Sequence, residues 1–404
     1  MAESATHSSP SEGTGAASFA WVRTWGASPQ APDNSVMAVE PFKDATLRQV
    51  VRISGGGHSV RLRISNEYGT APLTIGAARV GITESGGDIR SGSDRELTFS
   101  GRPTATVPAG APILSDPVDL RVAGLSHVTL SLYLPDRVET CTCHGTFHAL
   151  GWILPGDATT LATLPESATA LPTQALISAV EVLPHTPAKA IAVLGDSRVD
   201  GIGSTPGADR RWTDVLAERL GARAGQTRYV VNQGIGGNRI LADGIGTAAL
   251  ARFDRDILAT PGLGHVVLAV GNDLVFSFAP RNEETAGFLD MFPGAPVTPD
   301  DITAAHLQLV ARAHAHGVKA YAATIAPYGG SDMYSPEGDN AREQINSWIR
   351  TSGAFDGVLD FDAIWRDPAD PTRIRDDLHA GDHLHGNDTG YKLLAESIDL
   401  TLFD

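Results

Sequence analysis

Ser197 lies in "GDSRVDG" (195–201), directly after the apolar run "AIAVL". A hydroxyl there becomes a nucleophile only if a base removes its proton. An imidazole does this because its ordinary pKa lies near neutrality, and it can later protonate the leaving group. A carboxylate must hold that imidazole in one tautomer and stabilise the imidazolium. Near the C-terminus "DDLHAGDHLHGND" offers such a pair twice, as Asp376/His379 and Asp382/His385. The tetrahedral oxyanion needs preorganised donors, for which a glycine-turn N–H and an Asn amide are suitable. "NQGIGGNR" (232–239) and "VGNDL" (270–274) contain both, with Asn272 as the amide. Taken singly these fragments read as turns, since Gly, Asp and Ser favour turns and "GIGG" lacks the Lys of a phosphate loop. Taken together they are the inventory of acyl transfer by a serine, a reaction that requires no metal or organic cofactor.

Such groups must be brought together by elements of structure. After residue 190 apolar strand-like runs alternate with helical patterns. Strands are predicted at "AIAVLGD", "RYVVNQG" (228–234), "HVVLAVGND" (265–273), "KAYAATIAP" (319–327) and "GVLDFDAIW" (357–365). Helices are predicted over 210–221, 247–259, 298–317, 340–353 and 387–402, the third with Thr298 or Asp300 near its cap and Gly317 at its end. That alternation implies a doubly wound, mostly parallel α/β sheet, whose ligands bind beyond the carboxyl ends of the strands. The four motifs fall at or after those ends. Residues 19–185 read differently. "VRLRIS" (60–65) and "VTLSLYL" (128–134) alternate apolar and polar, and "GGGH", "NEYGTAP" and "SGGDIRSGSD" punctuate them with turns. This predicts an all-β sandwich, joined through "PHTPAK" (184–189) to an α/β domain over 186–404. Residues 1–18, polar and small, read as a disordered tail.

Composition narrows the partners. A chain of 404 residues accommodates two domains. Its 31 basic against 47 acidic residues give a net charge of −16, which repels a phosphate backbone and argues against nucleic acid. No apolar run reaches the length of a membrane span. Residues 1–18 lack the basic start and apolar centre of a signal peptide, so the chain is expected inside the cell or as a mature secreted form. Cys141 and Cys143 stand too close in sequence for an unstrained disulfide and are too few for a zinc cage, and are expected as thiols. His306, His314 and His316 lack the spacing of a zinc helix, and "RFDRD" (252–256) reads as a solvated helix face with local ion pairs. Trp21, Trp25 and Trp152 read as sandwich core rather than a sugar platform.

The four blocks, in this order, resemble the SGNH (GDSL-type) hydrolases, whose marks are a Ser in GDS, a Gly in a second block, an Asn in a GxND block and Asp-x-x-His near the C-terminus. The resemblance implies a flavodoxin-like hydrolase domain with Ser197 as nucleophile, Asp382 and His385 as its partners, and an oxyanion hole of Ser197, Gly237 and Asn272. The Asp382/His385 pair is preferred over Asp376/His379 because "GNDTGYKLLA", a helix start, follows it. More loosely, "TWGASPQAP" and "RLRISNEYGTAPLTIGAARV" are similar to the jelly-roll-like β domain that precedes the hydrolase domain in larger bacterial members. Three departures carry expectations. Arg198 replaces an apolar residue beside the Ser and offers a charge to an acidic group of the substrate. Gly271 stands one position later than usual, which predicts an altered loop. Gly386 replaces a Pro after the His and predicts a looser loop. The implied activity is a serine esterase on short-chain acyl esters. A carbohydrate O-acetyl esterase, with the β domain holding an acetylated sugar, is the alternative. A catalytically inactive binding protein is the third reading, against which the intact four-block set argues. No feature of the sequence specifies an oligomeric state.

Overall fold

A computed structural model describes residues 20–32, 40–145, 150–223 and 227–404. The tail expected over 1–18 lies outside them. In the first half, alternation does what the pattern predicts. In strand Gly57–Ser65, Val60, Leu62 and Ile64 are at most 1% exposed, while Arg61 and Arg63 turn to the other face. This strand pairs antiparallel with Ile177–Leu183, which pairs with Val22–Gly26. A second antiparallel sheet is centred on Ala45–Arg52, flanked by His127–Leu134 and Leu150–Pro155. Leu47, Val51, Leu130 and Leu132 of this sheet pack with Val60, Leu62, Val180 and Val182 of the first in one core. Cys141 and Cys143 are buried thiols. Trp25 is in the core, Trp21 lies beneath the Arg61 guanidinium, and Trp152 belongs to the other sheet, so the three do not form one platform.

The second half is a parallel five-stranded sheet of β1 (Lys189–Gly195), β2 (Arg228–Gly234), β3 (Leu263–Ala269), β4 (Lys319–Ala323) and β5 (Gly357–Leu359), in the order β2-β1-β3-β4-β5. That is the flavodoxin-like order, with ligands expected at the carboxyl ends of the central strands. β1 is apolar without alternation because both its faces are covered. Ile191 and Val193 pack with Trp212, Leu216 and Leu394, whereas Ala192 and Leu194 pack with Phe253, Ile302 and Leu309. The core of the β-rich half extends to Ala190, Tyr229 and Val231, so the two halves share apolar packing.

The helices are α1 (Ser197–Asp200), α2 (Trp212–Gly221), α3 (Ala249–Phe253), α4 (Asn272–Phe278), α5 (Ala286–Leu289), α6 (Pro299–Ala315), α7 (Pro336–Thr351), α8 (Phe361–Trp365) and α9 (Asp388–Ser397). Thr298 caps α6 through a reciprocal pair with Asp301. Several elements differ from the sequence reading: β3 and β4 end at Ala269 and Ala323, short of 273 and 327, and the sequence pattern does not mark α1, α4 or α5. α3 continues past Phe253 as a π-helical turn, Asp254–Leu258. β5 stops at Leu359 because the Asp360 carboxylate accepts the Ala363 N–H and starts α8. α7 begins at Pro336, ahead of residue 340, since Ser335 caps it and Pro is pre-set for a first turn. α9 ends at Ser397, and Leu400–Phe403 is a 3₁₀ turn. Among the described residues no helix is long and apolar enough to cross a membrane.

Candidate active site

The motif residues converge where β1, β2 and β3 end. Ser197 is the first residue of α1, held there because the Asp196 carboxylate accepts the Arg198 N–H. His385 Nε2 lies 2.8 Å from Ser197 Oγ, and its Nδ1 lies 2.6 Å from Asp382 Oδ2. With Nδ1–H donated to the carboxylate, Nε2 is left to accept the serine proton. The other Asp382 oxygen accepts the backbone N–H groups of Leu384 and His385 at 3.0 and 2.9 Å. The Asp-x-x-His spacing thus builds a local turn that aims the carboxylate, with His383 in left-handed backbone at φ 56°. Burial raises the Asp382 carboxyl, but the His385 side chain and backbone donors outweigh it and hold it well below the ordinary carboxylate range. His379 does not reach Ser197 by any hydrogen bond. Its Nδ1 accepts the Gly381 N–H at 2.9 Å, and its Nε2 is 3.7 Å from Asp376.

The expected oxyanion donors belong to blocks that are tied to the first one by hydrogen bonds, Gly236 N–H to Asp200 and Gly271 N–H to Asp196. Gly237 has φ 73°, a conformation strained for any residue with a Cβ. The preceding Gly236 N–H is used by Asp200 Oδ2 at 2.9 Å. No hydrogen bond among the described residues takes the Gly237 N–H or the Asn272 side-chain amide, although Asn272 is 8% exposed. An amide that no protein group takes up is free to meet a ligand. Asn272 opens α4, and Gly271 before it donates to Asp196 Oδ2 at 3.2 Å. The shifted glycine therefore ties the third block to the first. Burial pushes the Asp196 carboxyl up against the pull of Arg198 and these N–H donors.

Arg198 Nε donates to the Leu384 carbonyl at 3.0 Å, next to His385, while its Nη2 is buried with no hydrogen-bond partner among the described residues. Two expectations are corrected here. The loop around Gly386 is tied down rather than loose. Ala380 N–H donates to the His385 carbonyl at 2.8 Å, and a Cβ at Gly386 would come within 2.5 Å of the Trp365 ring. "RFDRD" is not a solvated face, for Arg252 and Asp256 are 1% and 2% exposed. The Arg252 guanidinium spends its donors on Gly195 O, Gln233 O, Asn238 Oδ1, Ser28 Oγ and Asp256. It ties the end of β1 to the glycine turn. The sequence reading missed Asp196, Asp200, Arg252 and Asp273, whose carboxylate accepts the Ile240 and Leu241 N–H groups. For Asp196, Asp200 and Asp273 a signal existed, since each lies inside a motif block. Arg252 carried none.

Residues 193–393 match the model of a family described as GDSL-like lipase/acylhydrolase. Among solved structures the chain is similar to an acetyl xylan esterase variant from Geobacillus stearothermophilus, at 19% identity over 52% of this chain and 92% of that one, with TM-score 0.39. It is also similar to the aryl esterase of M. smegmatis, at 18% identity over 52% and 96%, TM-score 0.39. A member of the lipolytic G-D-S-L family from Veillonella parvula aligns at 16% identity over 52% and 96%, TM-score 0.36. No curated protein sequence matches the chain.

Proposed function

Because residues 193–393 form a hydrolase domain of the GDSL-like lipase/acylhydrolase family, we propose that the chain is a serine carboxylic-ester hydrolase that works through an acyl-enzyme on short-chain acyl esters. The observation that carries this reading is the chain of contacts from Asp382 through His385 to Ser197, at 2.6 and 2.8 Å. Ser197 Oγ attacks the ester carbonyl while His385 Nε2 takes its proton. The N–H groups of Ser197 and Gly237 and the Asn272 amide receive the oxyanion. His385, now an imidazolium steadied by Asp382, protonates the leaving alcohol. It then activates water to release the acid, and Ser197 regains its proton. A small acyl group is favoured because Phe292 crowds the glycine turn. Its ring carbon lies 3.1 Å from where a Cβ of Gly237 would be, with Phe276 and Phe288 packed against it. The residue boundaries 19–185 and 186–404 remain our proposed division of the chain. The test is hydrolysis of p-nitrophenyl esters from acetate to palmitate by the wild type and Ser197→Ala. Activity that falls with acyl length and vanishes in the variant is expected. Undiminished turnover by Ser197→Ala would refute the mechanism.

A further inference from the structure

The β-rich half reaches the catalytic side of the sheet through two buried residues. Ser28 Oγ donates to Gln233 Oε1 at 2.6 Å and receives Arg252 at 2.8 Å. The Ser28 carbonyl lies 3.0 Å from His144 Nδ1, and His144 Nε2 lies 3.0 Å from Asp200 Oδ1. Asp200 Oδ2 in turn accepts the N–H of Gly236, the neighbour of Gly237. Ser28, His144 and Asp200 are 0%, 7% and 2% exposed. Both imidazole nitrogens of His144 therefore face oxygens that only accept, a backbone carbonyl and a carboxylate. A neutral imidazole carries one N–H and satisfies one of them, whereas the imidazolium satisfies both.

We propose that His144 is a buried imidazolium through which the β-rich half positions the oxyanion turn, by holding the Asp200 carboxylate that binds Gly236 N–H. The β-rich half then completes the active site instead of standing beside it. His144 is a positioning residue, acting through Asp200 on donors that must be fixed before charge develops on the substrate. Its protonation is consistent with its surroundings. Burial favours the neutral ring, but the Asp200 charge, the bond to it and the Ser28 carbonyl prevail and raise its pKa. The charged groups acting on it are Asp200 on α1 and, in opposition, Arg211 before α2. Because the pKa is raised, the imidazolium and its support are present below the ordinary histidine range and are lost as pH rises through the raised value. A catalytic base has the opposite requirement, so the two histidines give opposite limbs of a pH profile.

This inference rests on the esterase reading, and the full-length chain tests both. kcat and KM for p-nitrophenyl acetate are measured against pH for the wild type, His144→Ala, His144→Gln and Ser197→Ala. In His144→Ala, kcat is expected to fall at least about 10-fold with KM changed less than about threefold. His144→Gln, whose amide can donate to Asp200 but does not titrate, is expected to recover part of kcat and to lose the alkaline fall of the wild type. A folded His144→Ala with wild-type kcat overturns the inference while an inactive Ser197→Ala leaves the esterase reading standing. Turnover by Ser197→Ala overturns the esterase reading itself. If His144→Ala does not fold, ¹⁵N NMR of histidine-labelled wild type decides. A ring protonated on both nitrogens at pH 7.5, and absent from His144→Gln, supports the proposal, and a neutral His144 overturns it.

Discussion

Asn272 and Arg252 are both largely buried, yet they are buried for different reasons. The Asn272 amide has no protein partner among the described residues, so its removal costs little in the free enzyme and much in the transition state. Asn272→Ala is expected to lower kcat by about 10²–10³ with KM nearly unchanged and an unaltered melting curve. A rise in KM at constant kcat would mean that the amide binds ground-state substrate instead. Arg252 has every direction filled, by Gly195 O, Gln233 O, Asn238 and Asp256. Arg252→Met leaves several buried acceptors unpaired, and a loss of at least about 2 kcal/mol in urea unfolding is expected. Wild-type stability in that variant would show that the acceptors find other donors. The catalytic candidates were legible because their chemistry is written in short spacings. Asp382 and His385 are three residues apart and bond across one turn. Arg252 was not legible, because an Arg followed closely by two Asp looks solvated until tertiary packing brings Ser28, Gln233 and Gly195 around it.

Elements decide how firmly those residues are held. The dyad loop is closed by Ala380–His385 and Asn387–Leu378 backbone bonds and by Arg198 on the Leu384 carbonyl. Gly386 lets the Trp365 ring approach where a side chain would stand. Replacing it with the Pro that the family often carries is therefore expected to destabilise this chain, by about 1–3 kcal/mol of overpacking, and to lower kcat. Differential scanning calorimetry and esterase assays of Gly386→Pro check this, and a raised Tm would contradict it. The strand–helix alternation was readable from periodicity, and caps such as Thr298 marked helix starts. Two of the missed boundaries share one cause. At Asp360 and Ser335 a side-chain cap overrides an apolar or polar run that continues past it in sequence.

For the whole molecule, two buried histidines predict how stability follows pH. His306 lies between Trp348 and Phe355 with neither ring nitrogen hydrogen-bonded. His265 stacks on Tyr321 near Phe403. Burial pushes each down to about 4, for His265 with help from Arg228, Lys319 and Lys189. In the unfolded chain both titrate near the ordinary histidine value of about 6.5. Between about 6.5 and 4 the unfolded state binds more protons, so their contribution is intact above that window and is lost as pH falls through it. The slope is up to about 1.4 kcal/mol per pH unit for each histidine. Urea unfolding from pH 7.5 to 4.5 should show this decline, and His306→Leu should make it shallower by about one proton. An unchanged slope in that variant would remove His306 from the account. At this scale the sequence by itself determined a β-rich half, a parallel α/β half, and the order of four motif blocks, because periodicity, turn residues and short spacings are local properties of a chain. Only the tertiary structure decided that Arg198 serves the dyad loop, and that Ser28 and His144 reach the glycine turn from the other half. Those outcomes depend on which surfaces pack together and exclude water, and a residue's own neighbours in sequence do not encode that.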